Sequence, residues 1–251
     1  MITKNINGHT VKLYDSIEDM PIINFQKYNR FLLIDSGIGS DLEDIDNHIT
    51  KIAKYIATDK NLAIQELQNM RQALYFINQE VNPKHLAFTA LVYEIDGEKV
   101  TDLSDDNLKE ILHKLSAMNK SWFNKLFTEI KKKVESELET YFPIFFNSLQ
   151  EKEAYDRLKQ RTLIILDGII SGIIKAEEVD EIDSYLLSLS KPKQFNGSKS
   201  VEVQYSKQFE QACILIAQKT NLDVKKLNVF EFYTALEQVK KQTEREGKKK
   251  K

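Results

Sequence analysis

Proline and glycine are scarce in this chain, with four and eight in 251 residues. So few breakers exclude a loop-rich or collagen-like protein and leave room for long helices. There is one cysteine, Cys213, which rules out an intrachain disulfide and any cysteine-based zinc site and fits a reducing compartment. Charge of one sign is missing too. Lys and Arg number 36 against 38 Asp and Glu, a net of -2, whereas a dedicated nucleic-acid binder usually carries a large positive excess. The most apolar run, Leu163 to Ile174, is too short to cross a bilayer and contains Asp167. It reads as a buried helix, and its Gly168-x-x-x-Gly172 spacing allows close backbone approach. The first residues, MITKNINGHTVKLYDS, lack an apolar core of signal-peptide length, so nothing there marks export. What is present, 41% hydrophobic and 10% aromatic residues, suffices for a packed core of one large or two small domains.

Two turn signals predict β-hairpins. Asn7-Gly8 supplies the positive φ angles of a type I′ turn and pairs Ile6 with His9, Lys4 with Val11 and Ile2 with Leu13, giving a face of Ile2, Ile6, Val11 and Leu13. Asp96-Gly97 predicts a second hairpin, with Glu94 opposite Lys99 as a charge pair and Tyr93 beside Val100. Ile6-Asn7-Gly8-x-x-Val11 matches Ile95-Asp96-Gly97-x-x-Val100, which shared turn chemistry or a duplication would both explain.

Helical periodicity covers most of the rest. Leu42, Ile45, Ile49, Ile52 and Ile56 form one stripe, and Ala63, Leu67, Met70, Leu74, Ile77 and Val81 another, both with the 3-4 spacing of helices packed antiparallel. Ser40-x-x-Glu43 reads as a capping box for the first. A helix from about Asp105 carries Leu108, Ile111, Leu112, Leu115 and Met118. One from about Ser121 carries Phe123, Leu126, Ile130, Val134, Leu138 and Tyr141, and Pro143 ends it. Further helices are expected over about 152–175, around Val179 to Leu189, around Tyr205 to Ile216, and from Val229, the last capped by Asn228-x-x-Glu231. Ser190 to Ser200 is the polar loop. The fold class expected is α-rich α+β, a multi-helix bundle with one or two small β-hairpins. Its divisions are 1–120 (hairpins and helical pair), 121–190 (long helices) and 201–251 (helical pair and Lys-rich tail), which one continuous domain would also accommodate.

Candidate chemistry is thin. Asp35 to Asp46 is acidic, but Ser stands where an EF-hand needs its central Gly, and Gly37 and Gly39 occupy ligand positions. The acids fit the first turn of a helix instead. Gly37-Ile38-Gly39 lacks the third Gly of a dinucleotide fingerprint. His9, His48, His85 and His113 fall in separate segments without HExxH spacing, and Cys213 lies in an apolar stretch where a thiol packs as a small hydrophobe. No P-loop or GxSxG elbow is present. The expectation is a protein without catalytic residues, metal site or cofactor; an enzyme would require acids or histidines from different helices to meet in one polar pocket.

Charge is unevenly placed. Residues 15–59 hold nine acids against four bases, net -5, and residues 225–251 nine bases against four acids, net +5. Such ends suit contact between neighbouring copies in a head-to-tail ring, and Lys248, Lys249, Lys250 and Lys251 are the expected, sequence-blind contact with DNA phosphates.

Three stretches carry a resemblance: Ile6-Asn-Gly-His-Thr-Val-Lys-Leu-Tyr-Asp-Ser-Ile-Glu-Asp-Met-Pro-Ile, Val92-Tyr-Glu-Ile-Asp-Gly-Glu-Lys-Val-Thr-Asp-Leu-Ser and Leu227-Asn-Val-Phe-Glu-Phe-Tyr-Thr-Ala-Leu-Glu. Together, in a chain whose basic residues include only five arginines, they resemble virion structural and assembly proteins of tailed bacteriophages, particularly the crAss-like phages. They cover less than a quarter of the chain, and no catalytic or ligand residue is carried over. The resemblance implies a non-enzymatic neck or head-tail connector ring, assembled in the host cytoplasm and retained in the virion. Its partners would be copies of itself and portal or tail proteins, with no membrane. The alternative it implies is a tail-assembly chaperone or scaffold that is not retained.

Overall fold

The computed structural model describes residues 1–115, 120–146, 149–173, 175–189, 191–195 and 197–249. They form an α-rich α+β fold in two compact units, residues 1–142 with 193–251, and residues 143–192.

In the first unit both hairpins are present, and they share one antiparallel sheet of order β1-β2-β3-β4. β1 (Ile2–Ile6) pairs with β2 (His9–Leu13) in the expected register, Ile2 opposite Leu13 and Ile6 opposite His9. Asn7 and Gly8 have φ of 51° and 82°, Asp96 and Gly97 of 51° and 88°, as type I′ turns require. β3 (Val92–Ile95) and β4 (Glu98–Lys99) set Glu94 opposite Lys99, but the charges go elsewhere. Glu94 accepts from Lys12 on β2 at 2.6 Å, and the Lys99 ammonium lies 5.4 Å from the Tyr93 ring centre. Turn residue Asp96 also reaches β2, accepting from the Thr10 amide at 2.8 Å with His9 Nδ1 2.6 Å away. Side chains of one hairpin therefore staple it to the other across some 80 residues of chain.

The intervening segment begins with a helix that the periodicity did not reveal. α1 (Ile22–Ile38) buries Ile22, Phe25, Tyr28, Phe31, Ile34 and Ile38, and its apolar residues run round it rather than along one stripe. It is the central element. α4 (Pro83–Thr89), a short helix capped by Asn82, and α6 (Lys120–Tyr141) pack their rings beside it. Phe123 and Phe127 stack at 5.8 Å, Phe88 meets Phe123 edge-on at 5.0 Å, and Tyr28 lies 6.1 Å from Phe127. The expected stripes of α5 (Asp105–Leu115) and α6 are buried as far as Leu138, Leu108 and Leu115 completely, whereas Tyr141 at the end of α6 is 51% exposed; Met118 lies outside the described residues.

The segment before α11 closes against the start of α1. Ile22 donates to the Leu227 carbonyl and Val229 to that of Met20, both at 2.9 Å, next to a Pro21–Asn228 bridge. α10 (Val201–Thr220) packs on α1, and α11 (Val229–Lys249) starts with the expected reciprocal cap, Glu231 N to Asn228 at 2.8 Å and Asn228 N to Glu231 at 3.0 Å. Arg30 of α1 reaches Asp105 and Glu202, and Lys27 reaches Asp105 at 2.7 Å, so one ionic cluster ties α1, α5 and α10. Burial pushes the Asp105 carboxyl up, but Lys27 and Arg30 hold it below the usual range.

The helical pair is α2 (Leu42–Thr58) and α3 (Lys60–Asn78), joined by Asp59, which caps α3 through the amides of Asn61 and Leu62. Its N-terminal box lies one residue beyond the expected Ser40/Glu43. Asp41 accepts from Asp44 N at 3.0 Å, and Asp44 accepts from Asp41 N at 3.1 Å and Ser40 N at 2.7 Å. A shorter Asp at both positions closes the ring that Ser and Glu would otherwise form.

The second unit comprises α7 (Pro143–Phe146), with Pro143 at its first position, and an antiparallel pair, α8 (Leu149–Ser171) and α9 (Ala176–Leu189). Arg161 holds Asp183 by two bonds of 2.6 and 3.0 Å, and Ile182 is buried. The run from Leu163 is not a buried helix: Ile170 is 86% exposed, and Leu163, Leu166, Ile169 and Ile173 are also open. Within this unit the two helices share one interface, so the outer face of α8 has no layer of its own unit to pack on.

Gly37 tests the packing of α1. A Cβ there would strike the ring of buried Phe195. Gly37→Ala gains about 1 kcal/mol in helix propensity, yet the overpacking should leave the protein about 1–3 kcal/mol less stable by urea unfolding.

Candidate functional site

The acidic stretch and its histidine are brought near one another and then used for structure. Asp41 and Asp44 are occupied in the α2 cap. His48, one turn further on, faces inward with only 4% exposure. Its Nδ1 lies 2.8 Å from Glu66 of α3 and its Nε2 2.7 Å from the Ile38 carbonyl at the end of α1. Both neighbours are acceptors, so the ring satisfies both by carrying two protons. Burial alone would lower the His48 pKa; the Glu66 hydrogen bond and the Ile38 carbonyl outweigh it and raise the pKa above the ordinary 6.5. Glu66 is 1% exposed and has a second cation, Lys51, at 3.6 Å. The arrangement is an ionic clasp of three helices.

Beside it lies a polar cleft of about 750 Å³. Asp35, Asp41, Asp44, Glu80, His85 and His113 line it, so acids and histidines from several helices do meet there. His85 packs 4.3 Å from the Phe123 ring, Lys84 donates to Asn124 at 3.0 Å, and the Asp35 carboxyl is pushed up by burial. Among the described residues no three His, Cys, Asp or Glu are placed to hold a metal ion. His9 is at the sheet edge with Asp96. Cys213 is buried on α10, where burial raises its thiol pKa away from the nucleophilic range.

Of the lysine tail, Lys248 and Lys249 stand in the last turn of α11 with side chains outside the described set, and Lys250 and Lys251 lie outside the described residues. The oppositely charged segments meet within one chain at the Pro21–Asn228 bridge. Much of their charge is consumed locally, by Asp15 with Lys133 at 2.7 Å, Lys225 with Glu210 and Lys241 with Glu237 at 2.8 Å each.

The largest features left open are apolar. On α2, Leu42 is 75% and Ile56 60% exposed, with Ile49 between them, and Leu67 and Leu74 on α3 are similarly open. The seam residues expected to zip the two helices together are there, but one side of the seam looks outward, because His48, Tyr55, Ala63, Glu66, Asn69 and Ala73 take the inner side. The second unit presents the α8 face already described. No helix among the described residues is long and apolar enough to cross a membrane. Periodicity located the α2–α3 stripe and the apolar run pointed to α8; neither carried a signal of which side would face outward.

The clasp has a pH signature. A raised histidine pKa stabilises the fold fully below about pH 6.5 and loses that contribution as pH rises through the folded-state value. Urea unfolding of the wild type, measured against His48→Gln/Glu66→Gln from pH 6 to 9, should show the wild-type advantage shrinking as pH increases. A difference independent of pH would mean that the imidazole is neutral throughout. Comparison with protein-family models, curated proteins and solved structures finds no match to this chain.

Proposed function

We propose that this chain is a non-enzymatic structural protein of a tailed-phage virion, forming an oligomeric neck or head-tail connector ring. The observation that carries the reading is the pair of open apolar helix faces, one on each compact unit. Contiguous apolar surface of this kind marks an interface rather than a solvated exterior. The resemblance of the two hairpin segments and the Leu227 segment to crAss-like phage proteins supplies the virion context. The helices are read as a multi-helix bundle whose core is local and whose outer faces serve lateral contact.

The polar cleft does not move the reading towards an enzyme. It unites acids and histidines, and Asp41 and Asp44 among them are held in the α2 cap. The chaperone or scaffold alternative uses the same apolar faces, covered only until assembly ends, so retention in the particle separates the two.

Mass spectrometry of purified particles should find the chain at a fixed copy number, and negative-stain microscopy of the purified protein should show rings. Presence only in infected lysate would favour the chaperone. Deleting Lys248 to Lys251 should leave ring formation unchanged while lowering retention on DNA at low salt. Equal retention would remove the DNA contact.

A further inference from the structure

The two open faces match each other. On α3, Leu67 and Leu74 are separated by Arg71, four residues after the first and three before the second, so all three share one face. On α8, Leu163 and Ile170 are separated by Asp167 at the same offsets. Each stripe is thus apolar with one charge at its middle, and the charges are opposite. Arg71 and Asp167 are both exposed, and neither makes an ion pair among the described residues. The surroundings repeat the contrast. Lys60 lies seven residues before Leu67 on the same face, while α9, beside α8, exposes Glu177, Glu178, Asp180 and Glu181.

We infer that α8 of one copy seats in the α2–α3 seam of the next, with Asp167 against Arg71. This rests on the ring reading above and names the contact that would build the ring. The occupant is a second copy because the complement of each face is present on the same chain. α8 against α8 would oppose Asp167 to Asp167, and seam against seam Arg71 to Arg71, each with a like charge in an apolar contact. The steps between Leu163, Leu166 and Ile170, three and four residues, are those of the seam itself, so α8 enters as a third helix with the same ridge spacing. The size is also right. Five side chains on the seam, four on the α8 face and Ile173 just past its end, at roughly 100 Å² each, give about 1,000 Å² of apolar burial, and with a polar rim this reaches the ~1,200–2,000 Å² of a specific interface. The contact uses different surfaces on the two copies, so it propagates head to tail and closes where the rotation per subunit allows.

Charge reversal tests this with substitutions that leave both cores untouched. By light scattering coupled to gel filtration, Arg71→Asp alone and Asp167→Arg alone should each weaken self-association at least tenfold. The double variant Arg71→Asp/Asp167→Arg should restore it to within about threefold of wild type. An equimolar mixture of the two single variants should also assemble, because each then offers the charge that the other lacks. Oligomers that neither reversal weakens would overturn this contact and leave the ring reading standing. Reversals that weaken assembly without rescue in the double variant or the mixture would also overturn it. A wild-type chain monomeric at every concentration would overturn both.

Discussion

A buried imidazolium and a buried carboxylate determine which way the α2–α3 hairpin faces. Glu66 cannot sit inside the protein without a cation and hydrogen bonds, and His48 supplies both. The other ring nitrogen of His48 is spent on the Ile38 carbonyl, one of the C-terminal carbonyls of α1 that have no partner within their own helix. Rolling the hairpin to bury its apolar seam would expose the pair, orphan that carbonyl and break the clasp, at about 3–5 kcal/mol for a lost partner. The polar side stays inward and the seam stays open. A partner laid on the seam satisfies both demands, because it covers the apolar side without disturbing the clasp.

The parts of this fold that could be read from the residues are those whose signal is local. Asn7-Gly8 and Asp96-Gly97 impose their turns through backbone conformation alone, and the registers follow from the turns. The stripes of α5 and α6 and the Asn228 cap of α11 are equally self-contained. α1 was illegible for the opposite reason. A helix whose buried side chains run round its circumference shows little contrast between an apolar face and a polar one, and with Pro21 before it no side chain caps its start. The joining of two hairpins into one sheet is likewise non-local, made by the antiparallel pairing of β2 with β3 and reinforced by Asp96 and Glu94 reaching across to β2. Facing was the other blind spot. The 3-4 pattern of α2, α3 and α8 states that apolar side chains align, and it holds equally for a stripe turned inward and a stripe awaiting a neighbour.

Charge shows the same difference between inventory and placement. The near-neutral composition divides along the sequence into an acidic segment and a basic one, but folding brings these together inside one molecule and pairs many of their members. Of the acids that looked like a field or a metal site in the sequence, Asp41, Asp44 and Asp59 are helix caps in the fold. Arg71 on α3 and Asp167 on α8 are exposed charges that sit within apolar surface. A charge there is worth more for selecting a partner than the same charge on a fully solvated face, since the wrong neighbour leaves it unpaired as water is excluded.

Geometry then links the surfaces to assembly. Two copies joined by identical patches form a closed pair and stop, whereas two copies joined by different patches leave one free face at each end. The contact proposed between the α2–α3 seam and α8 is of the second class. Each added copy gains one contact until the last, which gains two for a single loss of rotational and translational freedom, so closure stabilises the whole beyond the strength of any one interface. Modest individual contacts between mostly self-contained subunits are therefore enough to hold a ring, and the open seam on α2–α3 is consistent with a subunit that folds first and finds its neighbour afterwards.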